Sequence, residues 1–326
     1  MHAIETVELT RRFSNVTAVD KLSVTVEVGE VFGLLGPNGA GKSTTLNMLC
    51  TILKPTSGSA SVNGFDVDRD PGDVRKSIGI VFQDPSIDGR LTGRENLEMH
   101  AELYEVEPKT GGERIEELLK LVELDSRADE PARNYSGGMK RRLEIARGLI
   151  HHPKVLFLDE PTIGLDPQTR AKIWEYVKRL SHEEDITIVL TTHYMEEAQM
   201  LCDRVGIVDY GRIVALGSPT ELIREIGEDI ITLGLQDSSR ASEFESLDFV
   251  KKVRPGEKTT LLIDDGNTSL PKIFDFASRK GIVITSAEVH NPTLNDVFLH
   301  YVGRELREEH ADSKDGMKAF MRRMRR

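Results

Sequence analysis

A glycine-rich segment that ends in lysine and hydroxyl side chains carries the clearest chemical signal in the sequence. Residues 36–44 read Gly-Pro-Asn-Gly-Ala-Gly-Lys-Ser-Thr and match the P-loop pattern GxxxxGK[ST]. Glycines let successive backbone N–H groups turn inward around phosphate oxygens, and a following helix presents its positive end to the same anion. We expect Lys42 to reach the β- and γ-phosphates of a nucleotide and the Ser43 hydroxyl to bind Mg²⁺. The predicted nucleotide-binding residues here are Gly36, Asn38, Gly39, Gly41, Lys42, Ser43 and Thr44.

Two adjacent carboxylates, Asp159 and Glu160, follow an apolar run over residues 155–158. The carboxyl ends of parallel strands face the ligand crevice of an α/β sheet, so both acids are expected beside the phosphate-binding segment. Because side chains alternate along a strand, we expect the two acids to point to opposite sides and to act differently. Asp159 suits the Mg²⁺ shell, and Glu160 suits orienting or deprotonating an attacking water.

A serine and two glycines, Ser136, Gly137 and Gly138, open a predicted helix that runs to about Ile150. A serine N-cap followed by glycines offers backbone N–H groups and a positive helix end to an anion. In isolation such a start is more often an ordinary helix cap. The short interval between Lys42 and Ser136 leaves no room for a long coiled-coil insertion.

Taken in order along the chain, these motifs resemble the ATPase subunits of ABC transporters. Besides the P-loop, the Ser136 segment and the paired acids, Gln83 follows a predicted strand, Asp166 ends a Gly-Leu-Asp sequence, and His193 follows a further strand. The resemblance covers residues 4–217, and the combination of motifs is highly specific.

Two further segments resemble the drug-resistance exporter branch of that family, typified by daunorubicin-type ATPases. They are residues 91–97, Leu-Thr-Gly-Arg-Glu-Asn-Leu, and residues 291–298, Asn-Pro-Thr-Leu-Asn-Asp-Val-Phe. This second resemblance is less specific than the first.

The resemblance implies roles for residues that spacing alone does not assign. Phe13 is similar to the aromatic residue that stacks on adenine, although on its own it suggests a core position. Gln83 resembles the residue that touches Mg²⁺ or the attacking water and senses the membrane partner. His193 resembles the histidine that contacts the γ-phosphate, and Asp166 resembles an aspartate that lies across a subunit interface.

The resemblance also implies that Ser136, Gly137 and Gly138 close over ATP held by a second copy of the chain. The usual sequence LSGGQ reads Tyr-Ser-Gly-Gly-Met here. The serine and glycines are retained, but the resemblance does not extend to any contact made by the glutamine, because Met139 stands in its place. The predicted catalytic residues are Glu160, His193, Gln83 and Asp166. The predicted Mg²⁺ ligands are Ser43, Gln83 and Asp159.

The pattern of elements predicts an α/β fold with a mainly parallel sheet, plus a small C-terminal α+β domain. The resemblance implies that the α/β fold is a P-loop NTPase of the ABC ATPase type, with an antiparallel β subdomain and a helical subdomain. The predicted boundaries place the ATPase domain at residues 1–220, with the helical subdomain at about 84–150. The accessory domain is predicted at 228–310 and a basic amphipathic tail at 311–326.

Composition limits the surroundings in which such a chain works. No apolar run approaches the length that spans a bilayer, and no secretory signal is evident at the start, so we expect a position on the cytoplasmic side of the membrane. The net charge of −11 argues against a broad nucleic-acid surface, and no nucleic-acid partner is expected. Cys50 and Cys202 fit no metal or redox spacing, which favours buried, inert thiols.

These observations predict an ATP- and Mg²⁺-dependent ATPase that powers a separately encoded multi-span permease. Two copies are expected to pair head to tail with ATP between them, and export of a drug-like or hydrophobic compound is favoured. An importer subunit, a DNA- or translation-related ATPase of the same type, and a standalone nucleotide sensor are the alternatives. The absence of a long coiled-coil segment argues against a DNA-related ATPase, and the single P-loop argues against a translation-related one. The presence of Glu160 argues against a nucleotide sensor.

The basic end of the chain is open to three interpretations. Residues 314–326 contain six basic residues and one acid, and Met317, Phe320, Met321 and Met324 share one helical face. A frayed end, a helix that packs on the accessory domain and a helix that rests on anionic lipid headgroups are all compatible with this pattern.

Overall fold

The computed structural model of the chain describes residues 2–84, 86–226, 229–256, 258–263, 266–290 and 292–303. Fourteen β-strands and ten α-helices lie within these residues. The strands are β1 (His2–Phe13), β2 (Val16–Glu27), β3 (Val31–Leu35), β4 (Ser57–Val62), β5 (Phe65–Asp66), β6 (Ile78–Val81), β7 (Val155–Asp159), β8 (Thr187–Thr192), β9 (Arg204–Asp209), β10 (Arg212–Gly217), β11 (Asp229–Leu235), β12 (Val250–Arg254), β13 (Thr259–Ile263) and β14 (Ile284–His290). The helices are α1 (Lys42–Leu49), α2 (Pro71–Ser77), α3 (Gly93–Leu103), α4 (Pro108–Leu121), α5 (Gly137–Gly148), α6 (Pro167–Glu184), α7 (Met195–Leu201), α8 (Pro219–Ile226), α9 (Gly266–Lys280) and α10 (Leu294–Val302).

A six-stranded sheet with the order β10-β9-β3-β8-β7-β6 forms the centre of the fold. Strands β3, β6, β7, β8 and β9 run parallel, and β10 returns antiparallel to β9 as a hairpin. Parallel strands end at the same edge, so the segments that follow β3, β6, β7 and β8 all leave the sheet on one side.

The apolar runs of β3 and β7 are continuous because each strand is covered on both faces. In β3, Leu35 belongs to one hydrophobic cluster while Phe32 and Leu34 belong to another. In β7, Leu156 and Phe157 divide in the same way. This arrangement confirms the prediction of a mainly parallel sheet packed between two layers.

The smaller sheet, β2-β1-β4-β5, is antiparallel and packs with the second of these clusters. Strands β1 and β2 form a hairpin in which Phe13 pairs with Val16 at the turn. This hairpin carries Phe13 to the rim of the carboxyl edge of the central sheet, where it joins the residues of the P-loop.

Helices α3, α4 and α5 form the predicted helical subdomain. Thr92 caps α3 in a reciprocal capping box with Glu95, which satisfies two backbone N–H groups at the helix start. Leu97, Leu118 and Leu143, one from each helix, are fully buried in the larger hydrophobic cluster.

The C-terminal segment folds as an α+β unit with the antiparallel sheet β12-β13-β11-β14 and helix α9. Its own core contains Leu233, Phe244 and Ile273. Helix α10 instead contacts α7 and α8, and Phe298 is fully buried in the larger cluster of the ATP-binding part.

Several element boundaries differ from the prediction. Residues 221–226, between the two predicted domains, lie within helix α8. The helix predicted to run to about Ile150 ends at Gly148. Cys50 and Cys202 are both buried and free, as expected.

Two segments for which the sequence makes predictions are not fully covered by the described residues. The basic tail and Asn291 lie outside the described residues. Among the helices in the described part of the chain, none combines the length and apolar character needed to span a bilayer.

Candidate active site

Four segments that follow neighbouring strands bring the predicted site residues together. The P-loop follows β3, Gln83 lies two residues beyond β6, Glu160 follows β7 directly, and His193 follows β8 directly. Because these strands are adjacent in the order β3-β8-β7-β6, their loops converge at one edge of the sheet.

The Lys42 ammonium is buried at the start of α1 and is surrounded by oxygen atoms. It donates to the backbone carbonyls of Gly36 (2.8 Å) and Pro37 (3.2 Å). Its Nζ also lies 3.5 Å from Oε1 of Glu160. Burial lowers the pKa of Lys42, and the charges of Glu160 and Asp159 oppose that effect. The result is a cation fixed at the floor of the loop that the glycines form.

The Asp159 carboxylate faces the end of the P-loop. Its Oδ1 accepts a hydrogen bond from the Ser43 hydroxyl at 3.0 Å and another from the Thr191 hydroxyl on β8. Asp159 is therefore held in place by two hydroxyl groups, one from the helix that follows the P-loop and one from the neighbouring strand.

The Glu160 carboxylate joins Lys42 to His193. Its Oε2 lies 3.1 Å from Nδ1 of His193. Burial alone would raise the pKa of Glu160, but the His193 imidazole and the Lys42 charge outweigh it and hold that pKa below its ordinary value. Glu160 is thus ionised at neutral pH, as an acceptor of a proton from water must be.

The prediction that Asp159 and Glu160 point to opposite sides because side chains alternate along a strand is wrong, since Glu160 is not part of the strand. The strand ends at Asp159, and Glu160 has a φ of 46°, in the left-handed region that is strained for a residue with a side chain. This turn of the backbone, fixed by hydrogen bonds from the Glu160 N–H to both Thr191 oxygens, turns the Glu160 side chain toward Lys42.

A cleft of about 720 Å³ opens beside these groups. At one end it is lined by residues of the P-loop, Gln83 and Glu160, and at the other by Phe13. Arg11 lies over the Phe13 ring, with its Cζ 4.6 Å from the ring centroid. The predicted site residues that line the cleft are Phe13, Asn38, Gly39, Gly41, Lys42, Ser43, Thr44, Gln83 and Glu160.

Helix α5 holds the walls of this site through a buried arginine. Arg141 donates to the backbone carbonyls of Asp159 (2.9 Å), Pro161 (2.8 Å) and Phe82, and pairs with Glu144. One side chain therefore connects the strand that carries the acids to the segment that carries Gln83. Sequence reasoning did not single out Arg141.

The remaining predicted residues lie outside the lining of the cleft. Ser136 caps α5 by accepting from the Met139 N–H at 3.2 Å, and Asp166 caps α6 by accepting from the Thr169 N–H at 3.0 Å. A Cβ at Gly138 would lie 2.4 Å from the Thr169 methyl group, so the close approach of α5 and α6 requires glycine there. Met139 packs partly buried against the larger core cluster.

The cleft also contains residues that sequence reasoning missed. Val16, Thr17 and Ala18 follow the hairpin turn at Phe13, Ile163 follows Glu160, and Tyr210 comes from the β9–β10 turn. The hairpin position of Phe13 could have indicated its neighbours on β2. Tyr210 is far along the chain, and only the pairing of β3 with β9 brings it near.

The donor set fits a magnesium ion in company with a nucleotide. Within the described residues no cluster of three or more His, Cys, Asp or Glu side chains could hold a metal alone. A hydroxyl and a carboxylate oxygen 3.0 Å apart, from Ser43 and Asp159, are hard ligands of the kind that Mg²⁺ takes when substrate phosphates complete its shell.

This fold, with a P-loop after β3 and an acid pair at the end of β7, both at the carboxyl edge of the same sheet, defines an ATP-binding cassette. The chain matches the "ABC transporter" family over residues 19–163. It also matches the family described as "ATP-binding protein DrrA1-3-like, C-terminal domain" over residues 217–302.

Known proteins give the same result over most of the chain. The daunorubicin/doxorubicin resistance ATP-binding protein DrrA of Streptomyces peucetius is 39% identical over 307 residues, 92% of each chain. The Nod factor export ATP-binding protein I of Burkholderia thailandensis is 40% identical over 304 residues, which cover 92% of this chain and 97% of that one. A solved dimeric post-hydrolysis state of the cassette MJ0796, bound to ADP and Pi, superposes with a TM-score of 0.60 at 28% identity, covering 66% of this chain and 98% of that one.

The chain therefore belongs to the ABC transporter ATP-binding proteins, in the DrrA-like branch. It is an ATPase subunit whose hydrolysis of ATP drives transport, as the order of its motifs predicts.

Proposed function

We propose that this chain powers the export of a drug-like or hydrophobic compound through a separately encoded multi-span permease. The observation that carries the proposal is the convergence of Lys42, the Ser43–Asp159 pair and the Glu160–His193 pair at one edge of the sheet, beside the cleft. Two relatives support outward transport: DrrA is a drug-resistance protein, and the Nod factor protein is an export protein.

The residues of the cleft divide the work of hydrolysis. Backbone N–H groups of the P-loop and the Lys42 ammonium bind the β- and γ-phosphates, while Phe13 stacks on the adenine. Ser43, Asp159 and Gln83 would hold Mg²⁺, which supplies charge neutralisation to the phosphates. Glu160 accepts a proton from the water that attacks the γ-phosphorus. The bond between the γ-phosphorus and the bridging oxygen breaks, and that oxygen leaves with ADP together with the electron pair. His193 contacts the γ-phosphate.

The second half of each site comes from another copy of the chain in this proposal. Ser136, Gly137 and Gly138 lie at the start of α5, a twelve-residue helix, and do not line the cleft of their own chain. A two-fold pair would place each α5 start, with Asp166 nearby, over the ATP of the other copy. ATP then closes the pair, and loss of the γ-phosphate releases it.

The chain would sit as a peripheral subunit on the cytoplasmic face of the membrane, without a nucleic-acid partner. Affinity purification of the tagged full chain from detergent-solubilised membranes tests this proposal. We expect a multi-span membrane protein to co-purify, and to co-purify equally with a Lys54→Ala control. Recovery of ribosomes or of soluble proteins alone would overturn the transport function.

A further inference from the structure

The turn between β9 and β10 places an aromatic side chain in the nucleotide cleft. Tyr210 lines the same cleft as Phe13 and the P-loop glycines, and 74% of its surface is exposed. The motifs of the family do not account for this residue. It reaches the cleft only because β9 pairs with β3, the strand that leads into the P-loop.

The position of the turn is fixed from two sides. The Gly211 N–H donates to the carbonyl of Ala40 in the P-loop at 2.8 Å, and the Gly211 carbonyl accepts from the Asp20 N–H on β2 at 2.9 Å. Arg212 also donates through Nε to Asp20 at 2.8 Å. A Cβ at Gly211 would lie 2.7 Å from the carbonyl oxygen of Ala18, so the turn packs directly on the strand that lines the cleft.

The backbone of the turn favours other residues than tyrosine. Tyr210 has a φ of 46° and Gly211 a φ of 79°, so both central residues are left-handed, as in the two-residue hairpin turns of type I′. Asn, Asp or Gly suit the first of these positions, whereas a bulky residue is disfavoured there. A tyrosine held in this conformation at the mouth of a cleft points to a role for its ring.

We propose that Tyr210 is a second aromatic contact for the nucleoside. It comes from the β9–β10 turn and Phe13 from the β1–β2 hairpin, but the two rings belong to the same subsite. The inference rests on the proposed nucleotide site. Arg11 covers one face of the Phe13 ring, which leaves the other face for the base. Tyr210 packs against the nucleoside from the side of the P-loop. Aromatic stacking tolerates any base, so ATP and GTP gain alike.

Tyr210→Asn is the informative substitution because asparagine adopts the left-handed conformation readily while removing the ring. Tyr210→Phe is the matched control that retains the ring. Isothermal titration calorimetry of the full chain with Mg-ATP, and separately with Mg-tripolyphosphate, separates the nucleoside from the phosphates. We expect the Kd for ATP to rise about five- to tenfold in Tyr210→Asn and by less than about twofold in Tyr210→Phe.

Binding of tripolyphosphate is expected to be the same in all three proteins. Unchanged ATP affinity in Tyr210→Asn, or an equal loss for ATP and tripolyphosphate, would overturn the role of the ring. An error in the proposed nucleotide site gives a different result, because Lys42→Ala would then also leave the Kd for ATP unchanged. A thermal melt of Tyr210→Asn at or above that of the parent verifies that the turn still forms.

Discussion

The two ends of the nucleotide cleft are built in opposite ways. At the phosphate end the charged groups are buried, with only 4% of Lys42 and 7% of Glu160 exposed, and each has several polar partners. At the nucleoside end the aromatic residues are open to solvent, with 40% of Phe13 and 74% of Tyr210 exposed. The first end is held by strand termini of the central sheet, the second by hairpin turns.

This difference suggests that affinity and chemistry are concentrated at the phosphate end. A buried charge in a fixed arrangement interacts more strongly with a phosphate than an exposed one, because water screens it less. Exposed rings contribute a smaller stacking energy and tolerate different bases. Substitutions at the two ends should therefore differ in size and in what they affect.

Lys42→Ala should have the largest effect on nucleotide binding. It removes a charge-assisted contact worth about 1.5–3 kcal/mol, so the Kd for Mg-ATP should rise about 10- to 100-fold. Lys54→Ala, an exposed lysine paired with Asp68 outside the cleft, is the control and should leave the Kd unchanged. Equal Kd values for Lys42→Ala and the parent by calorimetry would contradict the description of the phosphate end.

Phe13→Ala should have an intermediate effect. Loss of stacking on an exposed ring should raise the Kd for ATP about five- to tenfold, and binding of tripolyphosphate should not change. Phe65→Ala is a close control because Phe65 lies in the same sheet and is 38% exposed, against 40% for Phe13. A loss as large in Phe65→Ala would show that the sheet, and not the ring, is responsible.

Arg11→Met should have the smallest effect. The guanidinium over Phe13 is half-buried and also donates to the Lys54 carbonyl at 2.6 Å. A cation–π contact near the surface contributes about 0.5–1 kcal/mol, so a rise in Kd of about two- to fivefold is expected. The neighbouring Arg12→Met should have none. If Arg11→Met weakened ATP as much as Phe13→Ala, the arginine itself would be a binding residue.

The phosphate end could be predicted from sequence because its geometry restricts the residue types. A backbone that wraps a phosphate needs glycine, and acids that reach it must end a buried strand, so residues 36–44 and Asp159–Glu160 are recognisable in one dimension. The left-handed backbone of Glu160 depends on hydrogen bonds to Thr191 of β8, and the role of Arg141 depends on contacts from α5 to the ends of β6 and β7. Such contacts leave no local pattern.

The nucleoside end of the cleft and the packing of helix α10 were harder to predict from the sequence. Tyr210 is brought to the cleft by strand pairing, which a single sequence does not specify. Helix α10 did carry a signal, since Leu294, Val297, Phe298 and Tyr301 have helical spacing, but not the information that it would pack on α7 and α8. The domain boundary near residue 220 therefore stays a prediction.

We propose that Glu160 activates water for ATP hydrolysis in this cleft. The most direct test is the rate of phosphate release by Glu160→Gln, alongside calorimetry with Mg-ATP and size-exclusion chromatography in ATP. Glu196→Gln, an exposed acid on α7, is the control. We expect Glu160→Gln to bind ATP, to turn it over at least about 100-fold more slowly, and to elute as a dimer. Turnover within a few-fold of the parent would contradict the account.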